Sequence, residues 1–227
     1  MLKLIKILAL VPVSAKVRGT IYRCIFNHRA NSKIGLNFKI GFGSYIDSKD
    51  INIGKDVSIG NMVRVKFLDS FQLGEKVSIG SSTIICGAFD INKAGNRSFS
   101  CGNFTEVLCS HYFDVVAPIT IGNHVTIAGK WTQFYTHSFD LMHNRLDGSI
   151  SIGNHVYIGS GCLINLGVDI CDNVVLQGGT CVNKSISEEG VYMSNMFLKR
   201  GSVHEYSELY HENQMITLKD GTKVYMK

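Results

Sequence analysis

The stretch IGNHVY IGSGCL INLGVD ICDNVV LQGGTC VNKSIS, Ile152 to Ser187, decides the fold. It falls into sixes, each opening on an aliphatic residue, and Ile152 and Ile170 stand 18 residues apart, so three sixes make one unit. A strand rises about 3.3 Å per residue and alternates its faces, so the leading aliphatic points inward while a small neighbour permits a tight turn. Three such strands and three turns close a triangular coil. Stacked coils pair as parallel strands around an aliphatic column. The segments between strands are too short to hold the crossover helices of a doubly wound α/β sheet.

Outward from that stretch the same phrase recurs. IGNHVT IAGKWT QFYTHS runs from Ile121 to Ser138, and IGLNFK IGFGSY, IGKDVS IGNMVR and LGEKVS IGSSTI recur between Ile34 and Ile84. The pattern divides the chain into a basic amphipathic arm over residues 1–33, an all-β parallel β-helix over 34–186 and an extension over 187–227. In the extension EYSELYHENQ predicts a short helix, and Asp220-Gly221 between two alternating runs predicts a hairpin. Two interruptions, at about 87–118 and 139–149, read as loops that leave the stack.

Composition limits what the chain can be. At 227 residues, 45% hydrophobic and 18% charged, it is long enough for one well-buried domain and lacks the signature of disorder. Seven cysteines without a CxxC pair read as free thiols in a reducing compartment, and no metal site is predicted. The net charge of +5 is uneven: every ionic residue before Asp47 is Lys or Arg. The first residues look like a signal peptide, but the apolar core over 7–13 sits at the lower length limit and is too short to span a bilayer. From Ser14, a predicted N-cap, Val17, Ile21, Cys24, Ile25 and His28 fall at helical spacing, with Lys16, Arg18 and Arg23 elsewhere on the helix. Such a helix packs on the domain or lies on an anionic membrane face. No nucleic-acid motif accompanies the charge. The expected location is cytoplasmic, with contact to the inner membrane face through residues 1–30 as a further expectation.

The repeat resembles the hexapeptide-repeat acyltransferases of the sugar O-acetyltransferase type, whose fold is a left-handed parallel β-helix. The resemblance implies acetyl-CoA as donor, a carbohydrate acceptor belonging to a surface polysaccharide or its precursor, and a homotrimer with CoA between adjacent prisms. His137 closes QFYTHS beside the second interruption, where sugar acetyltransferases of this family keep their catalytic base. Imidazole, with a reference pKa near 6.5, suits removal of a hydroxyl proton. His143, in MHNRLDGS, is similar to a catalytic segment of antibiotic acetyltransferases and is the alternative base. VYIGSGCLI resembles the family's V-W-I-G-S segment, which assigns Tyr157 to the donor tunnel, with Gly159 beside it, and the Ser160 amide to the thioester carbonyl. VLQGGTCVNKSI assigns Gly178, Asn183 and Lys184 to CoA, and Lys199 and Arg200 in FLKRG join Lys184 as partners for CoA phosphates. Gln133, Asp140 and His111 are acceptor-pocket candidates, Asp140 also as an orienter of the imidazole. His124 and His155 occupy one place in two copies of IGNHV and read as turn residues. Two other functions remain in view, N-acetylation of an amino-sugar nucleotide and a non-enzymatic β-helix scaffold.

Overall fold

The computed structural model describes residues 2–87, 96–194, 215–217 and 223–225. It comprises two units, residues 1–194 and residues 195–227.

In the first unit two helices, α1 (Leu2–Ala9) and α2 (Ala15–Phe26), precede the solenoid. Ser14 caps α2, its Oγ accepting the Val17 N–H at 3.3 Å and so satisfying one of the helix's orphan donors. The face that α2 buries is not the apolar stripe read from the sequence. Arg18, Gly19, Tyr22 and Phe26 are buried, whereas Val17, Cys24 and His28 are exposed. Two side chains explain the rotation. Gly19 lets the helix approach the first coil so closely that a Cβ there would stand 1.9 Å from the Phe38 carbonyl oxygen. The Arg18 guanidinium, buried behind it, donates to the carbonyls of Ile40, Val11 and Val13 at 2.8, 2.8 and 2.9 Å.

The solenoid is a parallel β-helix. Each coil contributes three inward side chains, from Ile34, Ile40 and Ile46 at the N-terminal end to Ile170, Leu176 and Val182 at the other, and together they form one continuous core. Three faces result. The first carries strands such as Ile119–Ile121, Ile150–Ile152 and Asp169–Ile170. The second carries Thr126–Ile127, Tyr157–Ile158 and Val174–Leu176. The third carries Tyr112–Asp114, Gln133–Tyr135, Leu163–Ile164 and Cys181–Val182. Every one of these pairs is parallel, and Phe113 stacks on Phe134 with centroids 4.4 Å apart in the column beneath the third face.

Both predicted loops differ from expectation. Within 87–118, the strands Ser98–Cys101, Glu106–Val107 and Tyr112–Asp114 make a full coil with Cys101, Val107 and Phe113 inward. A cysteine in the leading position hides this coil from a reading keyed to Ile-Gly. Residues 88–95 lie outside the described residues. The second interruption is a β-hairpin: His137–Phe139 pairs antiparallel with Arg145–Asp147. The ladder also continues past residue 186, since Gly190–Tyr192 pairs in parallel with Val174–Leu176. The hairpin leaves the prism at the edge between the third face and the first.

In the second unit Met215–Thr217 pairs antiparallel with Lys223–Tyr225 on either side of Asp220-Gly221. The helix predicted over EYSELYHENQ lies outside the described residues. No described helix is long and apolar enough to cross a membrane.

Candidate active site

The turn that leads into QFYTHS sets the site. Val107, Ile127 and Ile158 stack in register, as do Tyr112, Gln133 and Leu163. The turn from Ile127 to Gln133 is therefore longer by one residue than the turns above and below it. Left-handed backbone at Gly129 (φ 64°) and Trp131 (φ 65°) absorbs the extra residue. The inward position moves from Gln133, where a count in sixes places it, to the fully buried Phe134.

The third-face strand ends at Tyr135, and the next residue fixes the corner. Buried Thr136 donates its hydroxyl to the Asp114 carbonyl at 2.7 Å and accepts the N–H groups of Val116 at 2.9 Å and Ala117 at 3.0 Å. Its own carbonyl accepts the Gly148 N–H at 2.9 Å, which closes the base of the hairpin. His137 then opens the outgoing strand. Its Nδ1 lies 2.5 Å from Oδ2 of Asp114, a carboxylate on the preceding coil that is 7% exposed, while the imidazole keeps 29% exposure. The Phe139 ring stands edge-on to the imidazole at 5.7 Å.

This geometry has a definite chemical consequence. A carboxylate cannot donate, so the shared proton sits on Nδ1, and the tautomer leaves the Nε2 lone pair available to take a proton. The buried acid also holds the ring in one orientation and stabilises the imidazolium once it forms. Cys86, paired with Asp114 across the ladder, is not a competing nucleophile. Burial pushes its thiol above the ordinary value, with the Asp114 charge adding to the rise and Lys66 opposing it, so the thiolate is disfavoured.

The other predicted residues fall into separate places. His143 sits exposed at the hairpin turn with φ 60°. Asp140 does not orient the imidazole; its carboxylate accepts the N–H groups of Met142 and Asn144, each at 2.8 Å, and the Asn144 amide at 2.9 Å, which pins it to the turn. His111 is a core residue and not part of an acceptor pocket. It is 1% exposed, its Nδ1 accepts the Thr132 N–H at 3.2 Å, and burial pulls its pKa down to about 4. Gln133 is exposed on the third face and accepts the Tyr135 hydroxyl at 2.7 Å. His124 and His155 are turn residues with φ 56° and 55°, their rings stacked 5.0 Å apart.

Tyr157, Gly159, Ser160 and Gly178 cluster on the edge between the second face and the third. Tyr157 is exposed, and Gly159 is buried where the next coil passes at Gly178. The Ser160 carbonyl accepts the Gly179 N–H at 2.8 Å, while its own N–H, on an exposed residue, donates to no described residue. Asn183, hydrogen-bonded to the Asn165 amide, and exposed Lys184 lie on the edge that also carries His137. Lys199 and Arg200 lie outside the described residues. Among the described residues no three His, Cys, Asp or Glu side chains gather as a metal site would require.

The residue missing from the sequence reading is Asp114. Its signal was present, because Cys101, Val107 and Phe113 are spaced by six and put the acid one residue past an inward position. Asp114 then stacks on Tyr135, two residues before His137.

A parallel stack of six-residue steps, carrying a His–Asp pair where a hairpin leaves the coil, defines a hexapeptide-repeat β-helix protein. The chain is 34% identical over 108 residues to the bifunctional protein GlmU of Picosynechococcus sp., a match covering 46% of this chain and 21% of the relative. The six-residue repeat read from the sequence is present in the coils. The chain spans about a fifth of the length of the first curated relatives it matches. No family model matches the chain. Among solved structures it is similar to the hexapeptide-repeat acetyltransferase VCA0836 of Vibrio cholerae in complex with acetyl-CoA, at 25% identity and a TM-score of 0.45, over 55% of this chain and 67% of that one. It is also similar to the polySia-specific acetyltransferase NeuO, at 16% identity and a TM-score of 0.47, over 79% of this chain and 90% of that one.

Proposed function

We propose that the protein transfers an acetyl group from acetyl-CoA to a sugar hydroxyl of a surface polysaccharide or its precursor, with His137 as general base. The observation that carries this reading is the 2.5 Å contact between His137 Nδ1 and the buried Asp114, which leaves Nε2 free on a partly exposed ring. In the step, Nε2 takes the hydroxyl proton as the oxygen bonds the thioester carbonyl carbon. The C–S bond then breaks and the departing CoA thiolate receives the proton. The unspent Ser160 N–H supports the oxyanion. Lys184 faces a CoA phosphate.

Ser160 precedes Leu163–Ile164 and His137 follows Gln133–Tyr135, two strands of one face, so Ser160 and His137 sit at opposite ends of that face. At about 3.3 Å per residue, the separation within one chain is roughly 15–20 Å. The reading therefore includes a trimer in which His137 of one chain meets Ser160 of its neighbour. Thiol release from acetyl-CoA, measured with oligosaccharides and with UDP-amino sugars as acceptors, tests the reaction. Oligosaccharides are expected to release thiol, and His137→Ala to lower kcat by about 10²–10⁴. Release with UDP-amino sugars alone would replace O-transfer by N-transfer, and an undiminished His137→Ala would remove the base.

A further inference from the structure

We propose that the N-terminal cap of the solenoid is a docking surface for an anionic lipid bilayer. The helices do more than cover the first coil. Their inner side is spent there, through Ile5, Ala9, Tyr22 and Phe26, all buried in the core. Their outer side still presents Ile7 at 64% exposure and Leu10 at 62%, together with Val11 and Val17. These side chains continue onto the coils: the Gly43 N–H donates to the Ala9 carbonyl at 2.8 Å, and neighbouring Phe42 and Met62, both exposed, are joined by a Met62 N–H to Phe42 carbonyl bond of 2.8 Å. The Arg18 guanidinium lies over the Phe42 ring at 5.9 Å and holds it against this patch. A cap that served only to cover apolar ends would have no need of outward aliphatics.

Charge names the occupant. No carboxylate precedes Asp47 in the sequence, and Lys6, Lys16, Lys33 and Lys39 are all exposed. Between α2 and the first coil lies a cleft of about 100 Å³, lined by Lys16, Thr20, Arg23, Leu36 and Asn37. Neither Lys16 nor Arg23 forms an ion pair among the described residues. The cleft has room for one phosphate group beside exposed apolar chains, the combination that a phospholipid headgroup and its acyl boundary supply. A second copy of the chain fits less well, because the same patch on both partners would bring like charges together.

The test is co-sedimentation of the full chain with vesicles of phosphatidylcholine alone and of phosphatidylcholine with phosphatidylglycerol, at low and high salt. Binding is expected only with phosphatidylglycerol and is expected to weaken as salt rises. Lys16→Ala and Arg23→Ala should each lower partitioning about fivefold. The pair Leu10→Ser and Val11→Ser should lower it as well, with the thermal unfolding midpoint little changed because both side chains are exposed. Folded protein that ignores anionic vesicles at low salt would overturn the proposal. So would displacement by free inorganic phosphate, which would assign the cleft to a soluble anion, or light scattering showing self-association that Leu10→Ser abolishes. Acetyl transfer is not read in any arm, so the outcome stands apart from the proposed reaction.

Discussion

At the scale of residues, Asp114 and Asp140 show how placement divides two chemically identical side chains. Asp140 is partly exposed and engaged in its own turn, and hydrogen bonds from Asn144 and Met142 hold its carboxyl below the ordinary range. Asp114 is buried and meets His137. Asp114→Asn should lower kcat by about 10²–10⁴ while leaving the fold intact, because an amide can no longer impose the Nδ1-protonated tautomer; steady-state kinetics with circular dichroism check it. His143→Ala, at an exposed turn, should change kcat little, and the reverse ranking would move the base to His143. The histidine was legible in the sequence because a repeat visibly stops there. Its partner was not, because the coil that carries it opens on Cys101. His111 gives a second prediction. Its folded pKa of about 4 lies below the ordinary value, so the denatured chain binds a proton that the native chain does not. Stability from this group is complete above pH 6.5 and falls as pH drops from there toward 4. His111→Gln should flatten that part of the plot of unfolding midpoint against pH; an unchanged slope would show that other groups set it.

At the scale of elements, the hairpin of residues 137–147 fixes where the proposed base stands. Its outgoing strand begins at His137 itself, and Thr136 ties that start to three backbone groups of the preceding coil. Thr136→Val keeps the shape and removes the hydroxyl, leaving the Val116 and Ala117 N–H groups without an acceptor, at about 1–3 kcal/mol for each that stays dry. The expected result is a lower unfolding midpoint together with a kcat reduced about tenfold, since the Asp114 backbone loses its anchor. A lower midpoint with unchanged kcat would mean that the corner stabilises the coil without aiming the dyad. Helix α2 shows the opposite limit of sequence reading. Its helical existence and its Ser14 cap follow from local chemistry. Its orientation does not, because a buried arginine that donates to three carbonyls and a glycine at a close approach outweigh an apolar stripe.

At the scale of the whole molecule, the period dictates a column of coils, and a column by itself offers faces and edges with no enclosed site. The six-residue count was enough to give that column, its parallel pairing and its aliphatic core. It did not show which side chain of the third strand faces inward at the site, because that depends on the single extra residue in the turn from Ile127 to Gln133. With His137 on one edge and Ser160 on another, a chain acting alone would have to bridge the width of a face, whereas three prisms side by side bring unlike edges together. This arrangement predicts complementation. His137→Ala supplies an intact Ser160 edge, and Ser160→Pro, which removes the backbone N–H, supplies an intact His137 edge. Each variant alone should be nearly inactive. Mixed after dissociation and reassembly, they should regain part of the wild-type thiol release, because some interfaces in the mixed trimers pair the two unaltered edges. Failure of the mixture to recover, with light scattering showing that trimers have re-formed, would place base and donor on a single chain; an active monomer would do the same without any mixing.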